Sequence, residues 1–238
     1  MIDIHSHIIY RVDDGPCTIE QSISMIWNAK KAGIKTIVAT PHSHETIFVA
    51  DRLSENYQEL LYRIRDYEIS LKLGYEVFIN PSVPSMERKN ISLTLDNTRY
   101  LLFELPFNTS PRDGFDVLTS LRLKDTIPIL AHPERNRNFL KNFNELSGYI
   151  QAGCMIQIDA ASILGIYGRD IRDFVKKLVK WKRVDFVASN AHCAEDYVNW
   201  YMKAYREVSK WSGDENATRL FQSNAESILS QEEKMHAV

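Results

Sequence analysis

Five of the seven histidines in this 238-residue sequence stand at or just past the end of short apolar runs. His5 and His7 close the run at 2–5 as a His-x-His pair, His42 follows 35–40, His132 follows 127–131 and His192 follows 184–189. Two carboxylates share that placement: Glu76 late in the run 71–78, and Glu104 at the end of 99–104. Imidazole and carboxylate together suit Zn, Mn or Fe, and a His-x-His pair where a strand bends into its loop can aim two rings at one ion. A lone histidine at a strand end is commonly structural, but a set of this size points to a metal site. His44 reads as a loop residue and His236 as part of a polar tail.

Asp13-Asp14-Gly15-Pro16 follows the pair closely. Its residue types make a turn for backbone reasons, and its spacing equally allows one carboxylate to face the site. Arg135, in His132-Pro133-Glu134-Arg135-Asn136, is a solvated charge or a planar fork that holds a phosphate against the metals; Arg137 is the weaker candidate. Thiolate phosphatase chemistry is excluded, because a Cys-x5-Arg loop is missing: six residues after Cys17, Cys154 and Cys193 stand Ile23, Ala160 and Asn199. Neither a P-loop, a Gly-x-Gly-x-x-Gly run nor a Gly-x-Ser-x-Gly elbow occurs.

Residues so far apart can meet only if the runs are parallel strands whose carboxyl ends share one face, as in barrels of alternating strands and helices. The sequence alternates in this way, with runs at 2–5, 35–40, 71–78, 99–104, 127–131, 155–159 and 184–189 read as seven strands. Thr18 with Gln21 forms a capping-box signature before a helix containing Ile23, Ile26 and Ala29. Leu53, Tyr57, Leu60, Leu61, Ile64 and Tyr67 recur at helical steps, as do Ile171, Phe174, Val175, Leu178 and Val179. A further helix is expected at 115–123, and amphipathic segments at 197–211 and 217–229; periodicity weakens after Asn80, Pro81 and Pro84. The expectation is an α/β fold, a distorted (β/α)7 TIM-like barrel forming one domain over 1–238, with a loose tail from about residue 230.

Composition agrees. With 44% apolar and 25% charged residues the chain reads as globular, and a formal charge of −2 argues against nucleic-acid partners. No run approaches the roughly 18–20 apolar residues of a membrane span, and Met1 leads directly into the first strand, so the expectation is a cytoplasmic protein without membrane insertion. Three cysteines without paired spacing suggest neither disulfides nor a zinc ribbon. A homo-oligomer is compatible with the sequence.

Met-Ile-Asp-Ile-His-Ser-His, Asp-Asp-Gly-Pro, Ala-Thr-Pro-His, the Glu76 strand, Phe-Glu-Leu-Pro-Phe, His-Pro-Glu-Arg-Asn and Ala-Ser-Asn-Ala-His carry a resemblance that runs from Met1 to about Leu229. The chain resembles the metal-dependent bacterial protein-tyrosine phosphatases of the PHP superfamily, encoded with capsule and exopolysaccharide genes. The resemblance implies a PHP-type barrel with three divalent metals, Mn foremost and Fe, Mg or Zn as alternatives. It implies His5, His7 and Glu76 at the first metal, Glu76, Glu104 and His132 at the second, and Asp14, His42 and His192 at the third, with Arg135 on the phosphate. The implied substrate and partner is the phosphorylated tyrosine tail of an autophosphorylating kinase that regulates polysaccharide assembly. Two residues depart from the pattern. Asn190 stands where the family has an Asp completing the first metal's shell, and Tyr197 where a second catalytic Arg is expected. An alternative is therefore a catalytically impaired protein that binds metal and phosphotyrosine; another is a phosphatase of small esters such as histidinol phosphate. Asp159, at the end of the sixth run, is a candidate replacement carboxylate.

Overall fold

The computed structural model describes residues 1–43, 50–79, 93–108, 114–122 and 125–230. His44, the stretch with Asn80, Pro81 and Pro84, Leu123 and the tail with His236 lie outside them.

Among the described residues there are eight strands: β1 (Ile2–Ser6), β2 (Thr36–Ala39), β3 (Ser70–Leu73), β4 (Glu76–Phe78), β5 (Tyr100–Glu104), β6 (Ile127–Ala131), β7 (Met155–Asp159) and β8 (Phe186–Ala188). All pairings are parallel, in the orders β1-β2-β3 and β4-β5-β6-β7-β8. The two sheets meet at two seams. At one, the Asn190 N–H donates to His5 O and the His7 N–H to Ala191 O, both at 2.9 Å; at the other, His42 bridges Glu76 in parallel register. These seams complete the ring expected of a barrel.

The expected third strand, 71–78, is two strands in the structure. After Leu73 the chain leaves β2's ladder, and Glu76 begins a new strand paired with β5. Gly74 permits the turn-off, since a Cβ there would lie 2.8 Å from Leu95 Cδ2 and 3.1 Å from Leu95 Cα. Glu76 is thus first in its strand rather than late in one, and it sits beside His42 at the seam.

Both strand faces are buried, as in other parallel sheets covered by helices. Ile37, Leu101, Leu130 and Ile156 join the larger core beneath the helices, whereas Ile4, Val38, Leu102 and Ile129 form a second core with Ala225 and Ile228. The predicted capping box is formed: Thr18 accepts from the Gln21 N–H, and Gln21 returns to the Thr18 N–H, opening the helix Ile19–Lys31. Helices at Ala50–Ile64, Phe115–Arg122 and Arg169–Lys180 match the periodicity. The segment expected at 197–211 starts as a π-helical turn, Tyr197–Tyr201, before the α-helix Met202–Ser212. The wider turn lets both Tyr197 and Tyr201 point inward, where the Tyr201 hydroxyl donates to Ile2 O at 2.9 Å. Among the described residues no helix is long and apolar enough to cross a membrane.

Candidate metal and phosphate site

The strand ends bring the predicted residues together. His5 and His7 are fully buried, with Nε2 atoms 3.3 Å apart. Each ring is oriented through its other nitrogen, as metal-binding imidazoles commonly are. The His5 Nδ1–H donates to Gln157 Oε1 on β7 at 2.9 Å, and the His7 Nδ1–H to Asp13 Oδ2 at 2.7 Å. These acceptors select the tautomers that leave both Nε2 atoms as ligand atoms. Asp13 and Asp14 divide the two roles that their motif left open. Asp13 is internal and also accepts from the His42 and Gly15 N–H groups. Asp14 is 60% exposed, with Oδ1 3.2 Å from His192 Nε2 and 3.6 Å from His42 Nε2. Gly15 is needed for this loop to reach the strand end, because a Cβ there would come within 2.2 Å of His7 O.

Glu76 is the shared centre. Its Oε1 lies 2.7 Å from His132 Nε2 and 3.4 Å from His5 Nε2; its Oε2 lies 3.1 Å from His42 Nδ1 and 3.3 Å from His7 Nε2. Three overlapping sets result, within which potential ligand atoms all lie within 4.8 Å of one another: His5, His7 and Glu76; His42, Glu76 and Glu104; and His7, Asp14, His42 and His192. The set with Glu104 takes His42 in place of the expected His132, which approaches the cluster through Glu76. His192 is oriented by its Nδ1–H donating to Asn190 O at 3.0 Å, and by Asp196 accepting from its backbone N–H at 2.8 Å.

A cluster of this kind is electrostatically divided against itself. Burial disfavours charge on Glu76, yet His5 and His132 hold its carboxyl well below the usual range. Burial likewise opposes a proton on His7 and His132, but Asp13 and Glu76 raise His7 to about 10, and Asp159 and Glu76 raise His132 to about 9. Glu104 is pushed up by burial and by Glu76, while the hydrogen bond from His192 draws Asp14 down. Protons here do what a cation would do, satisfying acceptors that converge on the buried Glu76 carboxylate. The donor set fits divalent cations on a second count. Asn190 Oδ1 is buried and has no hydrogen-bond partner among the described residues, and burying such an oxygen is costly unless something binds it.

Beside the cluster, Arg135 is gripped by three neighbours. Its guanidinium carbon lies 4.5 Å from the Phe107 ring centre and 4.7 Å from that of Tyr167, and its Nη1 is 3.5 Å from Asp159 Oδ2. The cavity above has a volume of about 300 Å³. Of the ten site residues expected from sequence, all but the fully buried His5 and His7 line it, together with Phe78 and Phe107. His132 and Asn190 enter with left-handed backbones, at φ 33° and 49°. Such positions are uncommon outside glycine and tend to gather at functional sites.

Other readings fare differently. Tyr197 does not stand in for an arginine: it is fully buried, its hydroxyl donating to Asp3 Oδ2 at 3.0 Å and lying 2.9 Å from Ser6 Oγ. Arg137 is exposed and does not line the cavity; its backbone N–H donates to Phe107 O. Asp159 is fully buried and touches Asn190 and Arg135 rather than the cavity. Sequence reasoning missed Gln157, Asp196, Phe107 and Tyr167. Only Gln157 carried a signal, as a lone amide inside an apolar strand.

Fold and donor set thus define a parallel α/β barrel with a candidate multi-cation centre facing a clamped guanidinium. Residues 1–230 match the family described as "Capsular polysaccharide synthesis, CpsB/CapC", and the chain belongs to that family. It is 37% identical over 196 residues to the tyrosine-protein phosphatase YwqE of Bacillus subtilis, covering 81% of this chain and 77% of that protein. It is 30% identical over 238 residues to the tyrosine-protein phosphatase CpsB of Streptococcus agalactiae, covering 96% and 98%. A solved structure, from work on YwqE of Bacillus subtilis and CpsB of Streptococcus pneumoniae described as unique metal-dependent tyrosine phosphatases, superposes with a TM-score of 0.83 at 33% identity, covering 97% of this chain and 94% of that one.

Proposed function

We propose that this chain is a metal-dependent phosphatase that hydrolyses phosphotyrosine on proteins. The observation that carries the reading is the placement of Arg135 and the exposed Phe107 beside the imidazole–carboxylate cluster in one cavity, with the exposed Tyr167 stacked on the same guanidinium. It is supported by relatives of similar length named tyrosine-protein phosphatases. His5, His7, Glu76 and Asn190 would hold a first cation, Glu76, Glu104 and His132 a second, and Asp14, His42 and His192 a third, with Mn the foremost choice. Bound divalent cations would lower the pKa of a coordinated water and neutralise charge on the phosphoryl oxygens. Arg135 orients the phosphoryl group through its planar fork, the two aromatic rings keep that fork fixed, and Phe107, which lines the cavity, flanks an aryl substituent. Gln157 and Asp13 hold the His5 and His7 rings, so the ligand atoms need no rearrangement. The phenolate is itself a good leaving group and needs no dedicated side-chain acid.

The substrate in this reading is the phosphorylated tyrosine tail of an autophosphorylating bacterial kinase that controls capsule or exopolysaccharide assembly, met in the cytoplasm where this chain would act. A second reading, a protein with impaired turnover that still binds metal and phosphotyrosine, is favoured by the neutral Asn190 and by the absence of an arginine at Tyr197. Metal analysis and phosphate release from a phosphotyrosine peptide after Mn loading separate them. Turnover by the loaded native chain is expected; full metal occupancy without phosphate release would establish the impaired reading. A preference of orders of magnitude for an alkyl phosphate such as histidinol phosphate would overturn the tyrosine assignment.

A further inference from the structure

Asp159 ends β7 as a fully buried carboxylate that does not line the cavity, yet its side chain contacts two residues that do, Asn190 and Arg135, and a third, Gln157, that holds His5. Its Oδ2 accepts from Asn190 Nδ2 at 3.2 Å and stands 3.5 Å from Arg135 Nη1. Its Oδ1 accepts from Gln157 Nε2 at 3.1 Å, and Gln157 Oε1 in turn holds His5. The Asn190 amide can take only one orientation against this partner, since the reverse would set two acceptor oxygens face to face. Oδ1 is thereby directed away from Asp159, and it is the atom left buried without a partner among the described residues.

We propose that Asp159 is the positioning residue of this centre, and that Asp159 and Asn190 form a carboxylate–amide pair whose members can be exchanged only together. Asp159 fixes Asn190 as a neutral oxygen donor toward the first cation, and the same carboxylate anchors the guanidinium that meets the phosphate. The charge missing from position 190 is retained one side chain farther out, where it serves the arginine as well. Replacing Asn190 alone by Asp would bring a second carboxylate oxygen to within hydrogen-bonding distance of Asp159 Oδ2, so that the pair must carry two like charges or take up a proton, and either state costs stability at neutral pH. Replacing Asp159 alone by Asn keeps a partner for the amide but removes the counter-charge of Arg135. This inference rests on the phosphatase reading only for the roles given to the cation and the phosphate; the pairing itself is a property of the folded chain.

A double-mutant cycle tests it with the native 238-residue chain, Asn190→Asp, Asp159→Asn and the exchanged double variant. In the metal-free state at neutral pH, Asn190→Asp should lower the melting temperature by about 5 °C, and the double variant should recover to within about 2 °C of native. In the Mn-loaded state, Asp159→Asn should weaken inorganic phosphate binding, measured by calorimetry, by about tenfold. Additive melting shifts, with the double variant no better than the sum of the single ones, would overturn the pairing. Unchanged phosphate affinity in Asp159→Asn would overturn the anchoring of Arg135. Because the melting cycle needs neither metal nor turnover, a chain that shows the coupling but never hydrolyses phosphotyrosine would reject the phosphatase reading and leave this one standing.

Discussion

Glu76 Oε1 lies 2.7 Å from His132 Nε2, and the two residues come from strands separated in the sheet by β5. With its second oxygen against His42 and His7, this one carboxylate touches four imidazoles, and no other acidic group among the described residues does so. Glu76→Gln keeps the shape and removes the charge. Metal content should fall by at least one ion per chain, and the metal-free protein should lose about 3 kcal/mol of stability at pH 7, since buried cationic imidazoles would be left uncompensated. Denaturant melts in the presence of chelator, together with elemental analysis, give both readings; retained metal and stability would remove Glu76 from the centre.

Proton and cation should compete. His7 and His132 bind protons more tightly folded than unfolded, at about 10 and about 9. Their contribution to the metal-free fold is therefore complete below about pH 6.5 and fades as pH rises through 9 to 10. Cation binding needs the same nitrogens deprotonated, so affinity should rise with pH across that window, with about two protons released per chain at pH 7.5. Calorimetric titration of Mn in buffers of different ionisation heat measures the release. A pH-independent affinity would contradict the assignment of these rings as ligands.

Arg135 is held by two rings and a carboxylate, a geometry specific to a planar cation. Arg135→Lys should therefore fail nearly as badly as Arg135→Ala, each lowering kcat/KM for a phosphotyrosine peptide by about 10²- to 10³-fold. Steady-state kinetics after Mn loading decides this. Near-native activity in the lysine variant would mean that only charge matters there.

The exposed Phe107 ring offers apolar surface next to the phosphate position. Phe107→Ala should raise KM for an aryl phosphate by about fivefold more than for an alkyl phosphate, an aromatic contact being worth about 1 kcal/mol beyond its area. Equal effects on both substrates would assign Phe107 to holding Arg135 alone.

Most of the scaffold and the cluster was legible because most functional strands announce themselves twice, by an apolar run and by a ligand-type residue where the run stops; Glu76, first in its own strand, is the exception. His5, His42, Glu104, His132 and His192 are all readable in this way. The orienting groups were not. Asp13 and Asp14 are chemically identical neighbours, and which one turns inward shows only in the folded loop, where Asp13 accepts from His7, His42 and Gly15. Asp159 ends a strand just as Glu104 does, but it contacts Asn190 and Arg135, and no periodicity encodes that choice. Phe107 and Tyr167 reach Arg135 from separate connections between strands, where spacing carries no information about direction.

The break at Gly74 makes the centre sensitive to the length of the chain between β3 and β4. Side chains on a strand alternate between faces, so a shift of one residue turns an inward group outward. Two residues, Gly74 and Tyr75, separate β3 from β4 and set the phase in which Glu76 arrives beside His42. Adding or removing one residue there would leave the composition of the centre intact and rotate its common carboxylate out of it. The chain can tolerate changes of sequence around this joint more readily than changes of count.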